Sequence, residues 1–331
     1  MAGEAMLAGF CGAVYGGALE HRPHMNRATP GQQDGTSSNG LPFALGACLA
    51  WGVFPIYFKL LGQLPPLEFV GWRILFTLPV CLLIVATRRQ GAQLRLAAGN
   101  PRVLGLLTAS ALMIGTNWLV FIAAVQSGHM LAGSLGYYIN PLVNVLAGTL
   151  FLGEKLNRRQ WIAVALAAAG VSLLAWGARE MLGISLTLAV TFAVYGLLRK
   201  LAPVASVPGL SIETALLVPV AIGILIWQAH AASGLSIVTD PSLMGLTALS
   251  GIITAVPLLL FAVAAQRMDY SMLGFVQYLA PTMQFLIGLF VFGEPLKPVQ
   301  LACFMLIWSA IAVFCWDMLA RRSSHTKVPG C

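Results

Sequence analysis

SLGYYINPLVNVLAGTLFLGEKLNRRQ, residues 134–160, returns 140 positions later as GFVQYLAPTMQFLIGLFVFGEPLKPVQ, residues 274–300 (274 − 134 = 140). Setting Pro141 on Pro281 also matches Tyr138 with Tyr278, Gly148 with Gly288, Gly153–Glu154 with Gly293–Glu294, Leu156 with Leu296 and Gln160 with Gln300, without a gap. The register extends backwards, with Asn100–Pro101 on Asp240–Pro241, Ser110 on Ser250, Phe121 on Phe261 and Gln126 on Gln266. The chain is a duplication. In a very apolar chain, internal repeats point to two related bundles that move against each other around a central site.

With 58% hydrophobic and 9% charged residues among 331, and a mean hydropathy of +0.84, the chain has too few polar groups to cover a soluble globule of its size. It reads as an integral membrane protein. A net charge of +8 does not imply nucleic acid, because the basic residues are dispersed in short loops rather than clustered among aromatics. Six cysteines and five histidines show no CxxC and no ligand-like pairing, so no metal, disulfide or cofactor is expected. There is no G-x-x-x-x-G-K-[ST] loop for a nucleotide, and no G-x-S-x-G elbow or H-E-x-x-H helix for hydrolysis.

Apolar stretches long enough to span a bilayer recur at about 41–61, 66–87, 102–126, 130–152, 159–177, 181–199, 211–230, 242–266, 271–292 and 299–318. The expected fold is therefore all-α, with ten transmembrane helices, five in a first repeat (41–178) and five in a second (179–320). Residues 1–40 read as a disordered cytoplasmic segment, with Met25 as an alternative start, and 321–331 as a basic cytoplasmic tail. With the amino terminus inside, the clusters Arg88–Arg89, Lys155, Arg158–Arg159, Arg199–Lys200 and Arg321–Arg322 all fall on the cytoplasmic side. Only Arg179 and Lys297 fall outside. An odd number of helices per repeat then turns the second repeat upside down relative to the first, and both termini are cytoplasmic.

On the fourth span Tyr137, Pro141, Asn144 and Gly148 share one helical stripe, and the ninth repeats it as Gln277, Pro281, Gln284 and Gly288. A proline that breaks the backbone ladder, with amides a turn away, predicts two discontinuous helices around a midplane binding site. Asn140 and Tyr278 flank the prolines and join that site, as does Asn117–Trp118 on the third span. The alternative is that the amides only tie helices together and the prolines only bend them.

Charges inside spans are the second set. Arg73 falls on Glu213 in the repeat register (73 + 140 = 213), which places one charge toward each membrane face. Arg73 is expected to guard the outer vestibule and to pair with Glu68 or with an anionic substrate group, and Glu213 to work on the inner side as a proton-coupling carboxylate. Static pairing or snorkelling is the alternative for both. Lys59, which falls on Arg199, or on Lys200 after a one-residue slip, is accounted for with them by snorkelling, and Glu154 and Glu294, each after a helix-ending glycine, by loop or capping roles. His129 and His230 are read as solvated.

At these residues the chain resembles the EamA branch of the drug/metabolite transporter superfamily. The likeness is carried by WGVFPIYFK (51–59), Glu68 and Arg73, NWLVFIAAV (117–125), SLGYYINPLVNVLAGTLFLGE (134–154), FAVYGLLRK (192–200), IETALLVPVA (212–221) and LGFVQYLAPTMQF (273–285). The resemblance implies two inverted five-helix repeats in a bacterial inner membrane and secondary transport of a small molecule without a nucleotide. The expected partners are thus a small-molecule substrate, the lipid bilayer and protons. Two rival readings stay open at this point: a non-transporting regulator or assembly partner, and an integral-membrane enzyme, for which no nucleophile, base or metal cluster is evident.

Overall fold

The computed structural model describes residues 40–61, 64–126, 130–176, 182–230, 234–239, 242–293 and 298–325. The expectations for residues 1–39, His129, Arg179, Glu294, Lys297 and 326–331 lie outside the described residues. The described residues all belong to one compact unit.

Its elements are α1 (Leu41–Gly52), α2 (Phe54–Leu60), α3 (Pro66–Thr87), α4 (Gly91–Gly99), α5 (Pro101–Gln126), α6 (Met130–Phe151), α7 (Arg158–Trp176), α8 (Leu182–Leu201), α9 (Ser206–Ala229), α10 (Ser236–Thr239), α11 (Ser242–Arg267), α12 (Tyr270–Gln277), α13 (Leu279–Phe290) and α14 (Pro298–His325). Among the described residues nine helical segments are long and apolar enough to cross a membrane, and the 22-residue α6 lies in the place of the tenth. At 1.5 Å per residue such helices match a hydrocarbon core of about 30 Å.

Repeat-equivalent helices lie side by side and antiparallel. A Cβ on Gly71, early in α3, would stand 2.7 Å from Leu225, late in α9. Gly148 of α6 meets Ser271 of α12, and Asn144 meets Gln277. Gly170 of α7 meets Cys303 of α14, while Arg159 reaches Asp317 at 3.9 Å. Around these pairs, α8 packs on α5 and α6, and α1 packs on α11, α12 and α13, which are the corresponding contacts 140 residues on. Antiparallel packing of matching helices is the geometry of an inverted repeat.

The prolines behave unequally. The helix bearing Pro281 breaks at Tyr278, as expected, but α6 runs unbroken through Pro141. Here the expectation of a break is corrected. Gly274 has no Cβ, so the α12 backbone lies against the Pro141 carbonyl and braces α6 from the side. The counterpart break is instead in the first span, between α1 and α2 at Val53. Pro55 lacks the N–H that would satisfy the Trp51 carbonyl four residues back, and Gln284 Nε2 donates to that carbonyl at 3.0 Å. The last helix also continues to His325, past the boundary expected at residue 320.

Gly153 has a φ of +66°, which ends α6 and turns Glu154 onto the start of α12. Its carboxylate accepts the Tyr270 N–H at 2.7 Å and the Ser271 N–H at 2.8 Å, a capping contact that crosses from one repeat to the other.

Candidate functional site

α5, α6 and α8 line a narrow, partly open cleft with a cavity volume of only about 10 Å³, room for about one water, at Asn117, Phe121, Gly136, Tyr137, Asn140, Leu188 and Phe192. The spacing explains the lining: Asn117 and Phe121 are one turn apart on α5, Tyr137 and Asn140 on α6, and Leu188 and Phe192 on α8. Asn117 Nδ2 donates to the Leu188 carbonyl at 2.8 Å and to Thr191 Oγ1 at 3.0 Å, so it ties the wall together. Asn140 differs. Its side chain is buried and its Oδ1 has no hydrogen-bond partner. Tyr137 is 44% exposed and lies with its ring centroid 6.0 Å from that of Phe121, which leaves a usable phenol in the cleft.

Below the cleft an aromatic layer separates its two ends. Phe192 packs on Trp51 at 5.6 Å and on Phe261 at 5.2 Å, and Phe261 stacks on Tyr195 at 6.2 Å. Beyond that layer lies the latched end, a set of polar contacts of which Ser110–Glu213 and Glu154 with Tyr270 and Ser271 join the two repeats, while the others lie within the second. Glu213 Oε1 accepts the Ser110 hydroxyl at 2.5 Å and stands 3.6 Å from Arg199 Nη1, with both charged side chains inaccessible to solvent. Arg199 Nη2 donates to the Ser206 carbonyl at 3.0 Å. Gly209 makes room for this guanidinium, because a Cβ there would fall 2.0 Å from Nη1. Lys200 donates to the carbonyls of Ala265 and Met268 at 3.1 and 2.5 Å, where its charge complements the end of α11. Gln266 donates to the Arg199 and Val204 carbonyls, and the Glu154 cap completes the group.

Several expected roles change. Glu68 does not pair with Arg73: five residues apart on one helix, they point about 140° away from each other. Glu68 is fully buried and accepts the Ser236 and Ile237 N–H groups at 3.0 and 3.2 Å and the Trp72 indole N–H at 3.2 Å. Arg199 is not a snorkelling counterpart of Lys59 but half of a buried ion pair. Lys59 itself is exposed, with Nζ 4.4 Å from the centre of the Phe292 ring.

Tyr278 is displaced from the site. Its ring lies in the core between α7 and α14, with Cys303 and Phe275. Gln284 serves the Trp51 carbonyl, and Gln277 accepts the amide of Asn144, so these two belong to the scaffold. Asn144 retains an unpartnered Oδ1. Trp118 lies under Arg73, 4.2 Å from its guanidinium carbon.

The sequence from 38 to 176 matches the model of the EamA-like transporter family. An uncharacterized transporter of Pseudomonas aeruginosa is 42% identical over 282 residues, covering 84% of this chain and 93% of that one. The protein RarD of Escherichia coli is 40% identical over 288 residues, covering 87% and 97%. A protein of Pseudomonas aeruginosa described as chloramphenicol-sensitive protein RarD is 31% identical, covering 88% and 99%. A crystal structure 18% identical in sequence shares the fold with a TM-score of 0.67 over 84% of this chain and 97% of that one.

Proposed function

The chain belongs to the RarD group of the EamA-like transporter family, and from that premise we propose a secondary transporter that exports a small molecule across the bacterial inner membrane by alternating access. The observation that carries this reading is the cleft between repeats. Asn117, Phe121, Tyr137 and Asn140 come from the first repeat, and Leu188 and Phe192 from the second. A site built from both halves changes shape when the halves rock, which is the requirement of alternating access.

The latched end supports an orientation. Arg88, Arg89, Arg102, Arg158, Arg159, Arg199, Lys200 and Arg267 all lie toward it, so the positive-inside bias assigns it to the cytoplasm, with both termini. The cleft then belongs to the outer half, above a closed inner gate.

Glu213 is the carboxylate we assign to proton coupling. Ser110 and Arg199 face it directly, Tyr195 and Cys81 are near enough to feel its charge, and its Oε2 has no partner. Protonation at Oε2 would discharge the pair with Arg199 inside the second repeat and weaken the Ser110 hydrogen bond by which Glu213 holds the first repeat, which loosens the inner gate. A proton entering from outside would thus be linked to opening inward.

Asn140 gives the test of the cleft. Asn140→Leu is expected to reduce selective efflux from proteoliposomes by roughly 10- to 100-fold, the value of about 1–3 kcal/mol for a lost hydrogen bond between a buried site and its ligand. Folding should survive, because Oδ1 has no protein partner to lose. Unchanged efflux in Asn140→Leu would remove this cleft from the translocation path.

A further inference from the structure

The inverted repeat gives one buried charge cluster a set of counterpart positions in the other half. At the latched end it consists of Arg199, Glu213 and Ser110, where a cation, a carboxylate and a hydroxyl satisfy one another. The register of 140 carries these positions onto Lys59, Arg73 and Ser250. The carboxylate position has become a second cation, so the corresponding positions of the other repeat carry two positive charges where the inner set is neutral.

Arg73 is set about 12 Å from the level of Glu213. Cys81 of α3 lies beside Glu213, and Arg73 precedes it by eight residues at 1.5 Å each. Among the described residues no acidic side chain lies within ion-pair distance of Arg73, whose Nε is buried with no partner. Glu68 is committed to α10. What Arg73 does have is aromatic: Trp118 at 4.2 Å and Phe69 at 5.8 Å. On the facing helix α11, Ser250 and Thr247 lie one turn apart, both fully buried, each with an unpartnered hydroxyl oxygen. The α3–α11 contact of Phe76 with Gly251 brings this part of α11 alongside the turn that bears Arg73, and a guanidinium with hydroxyls on the neighbouring helix offers donors for an anion, the guanidinium fork suiting a carboxylate or phosphate. Trp118, Tyr137 and Phe121 add a flat apolar bed next to it.

We infer that Arg73, with Ser250 and Thr247, receives an anionic group of the transported molecule, in the place that Glu213 fills in the other repeat. The cargo is accordingly an organic anion with an apolar or aromatic body. Lys59, exposed at the same end, draws it in from the outer side or speeds its release there by competing for the charge. The inference rests on the transport reading above, and concerns only which molecules are carried.

The test uses the full chain in proteoliposomes loaded with a bacterial metabolite extract. The released molecules are identified by mass spectrometry and sorted into monocarboxylates, phosphate esters, neutral molecules and cations. Wild type is expected to release anions selectively. Arg73→Gln should reduce that release at least tenfold, Arg73→Lys should restore part of it, and Ser250→Ala should weaken it without loss of folded protein. Carboxylates or phosphate esters leaving alone would identify which anion the site prefers. Selective release of neutral or cationic molecules, unchanged in Arg73→Gln, would overturn the inference while leaving transport intact. If wild type released nothing selectively, the transport reading itself would fail, and this inference with it. A purely structural Arg73 would show as loss of folded protein in both Arg73→Gln and Arg73→Lys with no change in the charge class released, and that too would overturn it.

Discussion

Arg199→Ala is expected to destabilise the folded protein by roughly 3–5 kcal/mol, the cost of leaving a buried carboxylate without its counter-charge. Both side chains of the Arg199–Glu213 pair are inaccessible, so water cannot take over from the guanidinium when it is removed. Removing Arg199 also orphans the Ser206 carbonyl and leaves Gly209 facing a hole. The check is reversible unfolding in mixed micelles. A cost below about 1 kcal/mol, typical of a solvated pair, would show that the latch is hydrated rather than sealed. Replacing both charges together, with Arg199→Met and Glu213→Leu, should recover most of the loss, because an apolar pair of similar volume has no desolvation penalty. The same double variant should lose its response to a pH gradient, which separates the structural part of the pair from its coupling role.

Gly251→Ala carries the next largest effect. A Cβ at this position would stand 2.3 Å from the carbonyl oxygen of Phe76 and 2.6 Å from its carbon, both backbone atoms of α3 that cannot rotate away. Overpacking of this kind costs about 1–3 kcal/mol and forces α3 and α11 apart. Because α3 bears Arg73 and α11 bears Ser250, the strain should also weaken transport. Gly245→Ala, on the same helix with nothing within 4 Å of the added carbon, is the control and should be neutral or slightly stabilising. Equal stability of the two variants would mean that α3 and α11 are not in close contact.

The repeat was legible in the sequence because its identities sit where geometry admits few residues. Gly153 must take a left-handed φ, and Glu154 must then reach the start of α12. Apolar length likewise gave the spans, since a bilayer imposes it. Prolines were less readable. Pro141, Pro281 and Pro55 look alike in one dimension, but whether a helix breaks depends on what braces it from the side and what satisfies the freed carbonyl. Gln284 does the latter for Trp51, from 233 residues away.

Charges were half legible. The opposition of Arg73 and Glu213 follows from the register, whereas their partners follow from packing. Arg199 resembled an end residue like Lys59, which is exposed, whereas the room beside Gly209 and the carboxylate of Glu213 keep Arg199 buried. A signal was present: Ser110 and Glu213 recur as Ser250 and Arg73, so the position that is a carboxylate beside a serine in one half is a cation in the other. Tyr278 failed as a site residue because the break at that position turns its ring into the α7–α14 core rather than toward the cleft.

A transporter of this kind must move a molecule in step with the inner gate. Purified protein in proteoliposomes loaded with metabolite extract, with and without a pH gradient, for wild type and Glu213→Gln, measures this directly. The prediction is selective efflux that responds to the gradient in wild type, and efflux in Glu213→Gln that no longer responds although the protein remains folded. Efflux with the same gradient response in both would remove Glu213 from coupling. No selective movement in any condition, from folded wild-type protein, would contradict the transporter reading and favour a non-transporting membrane component.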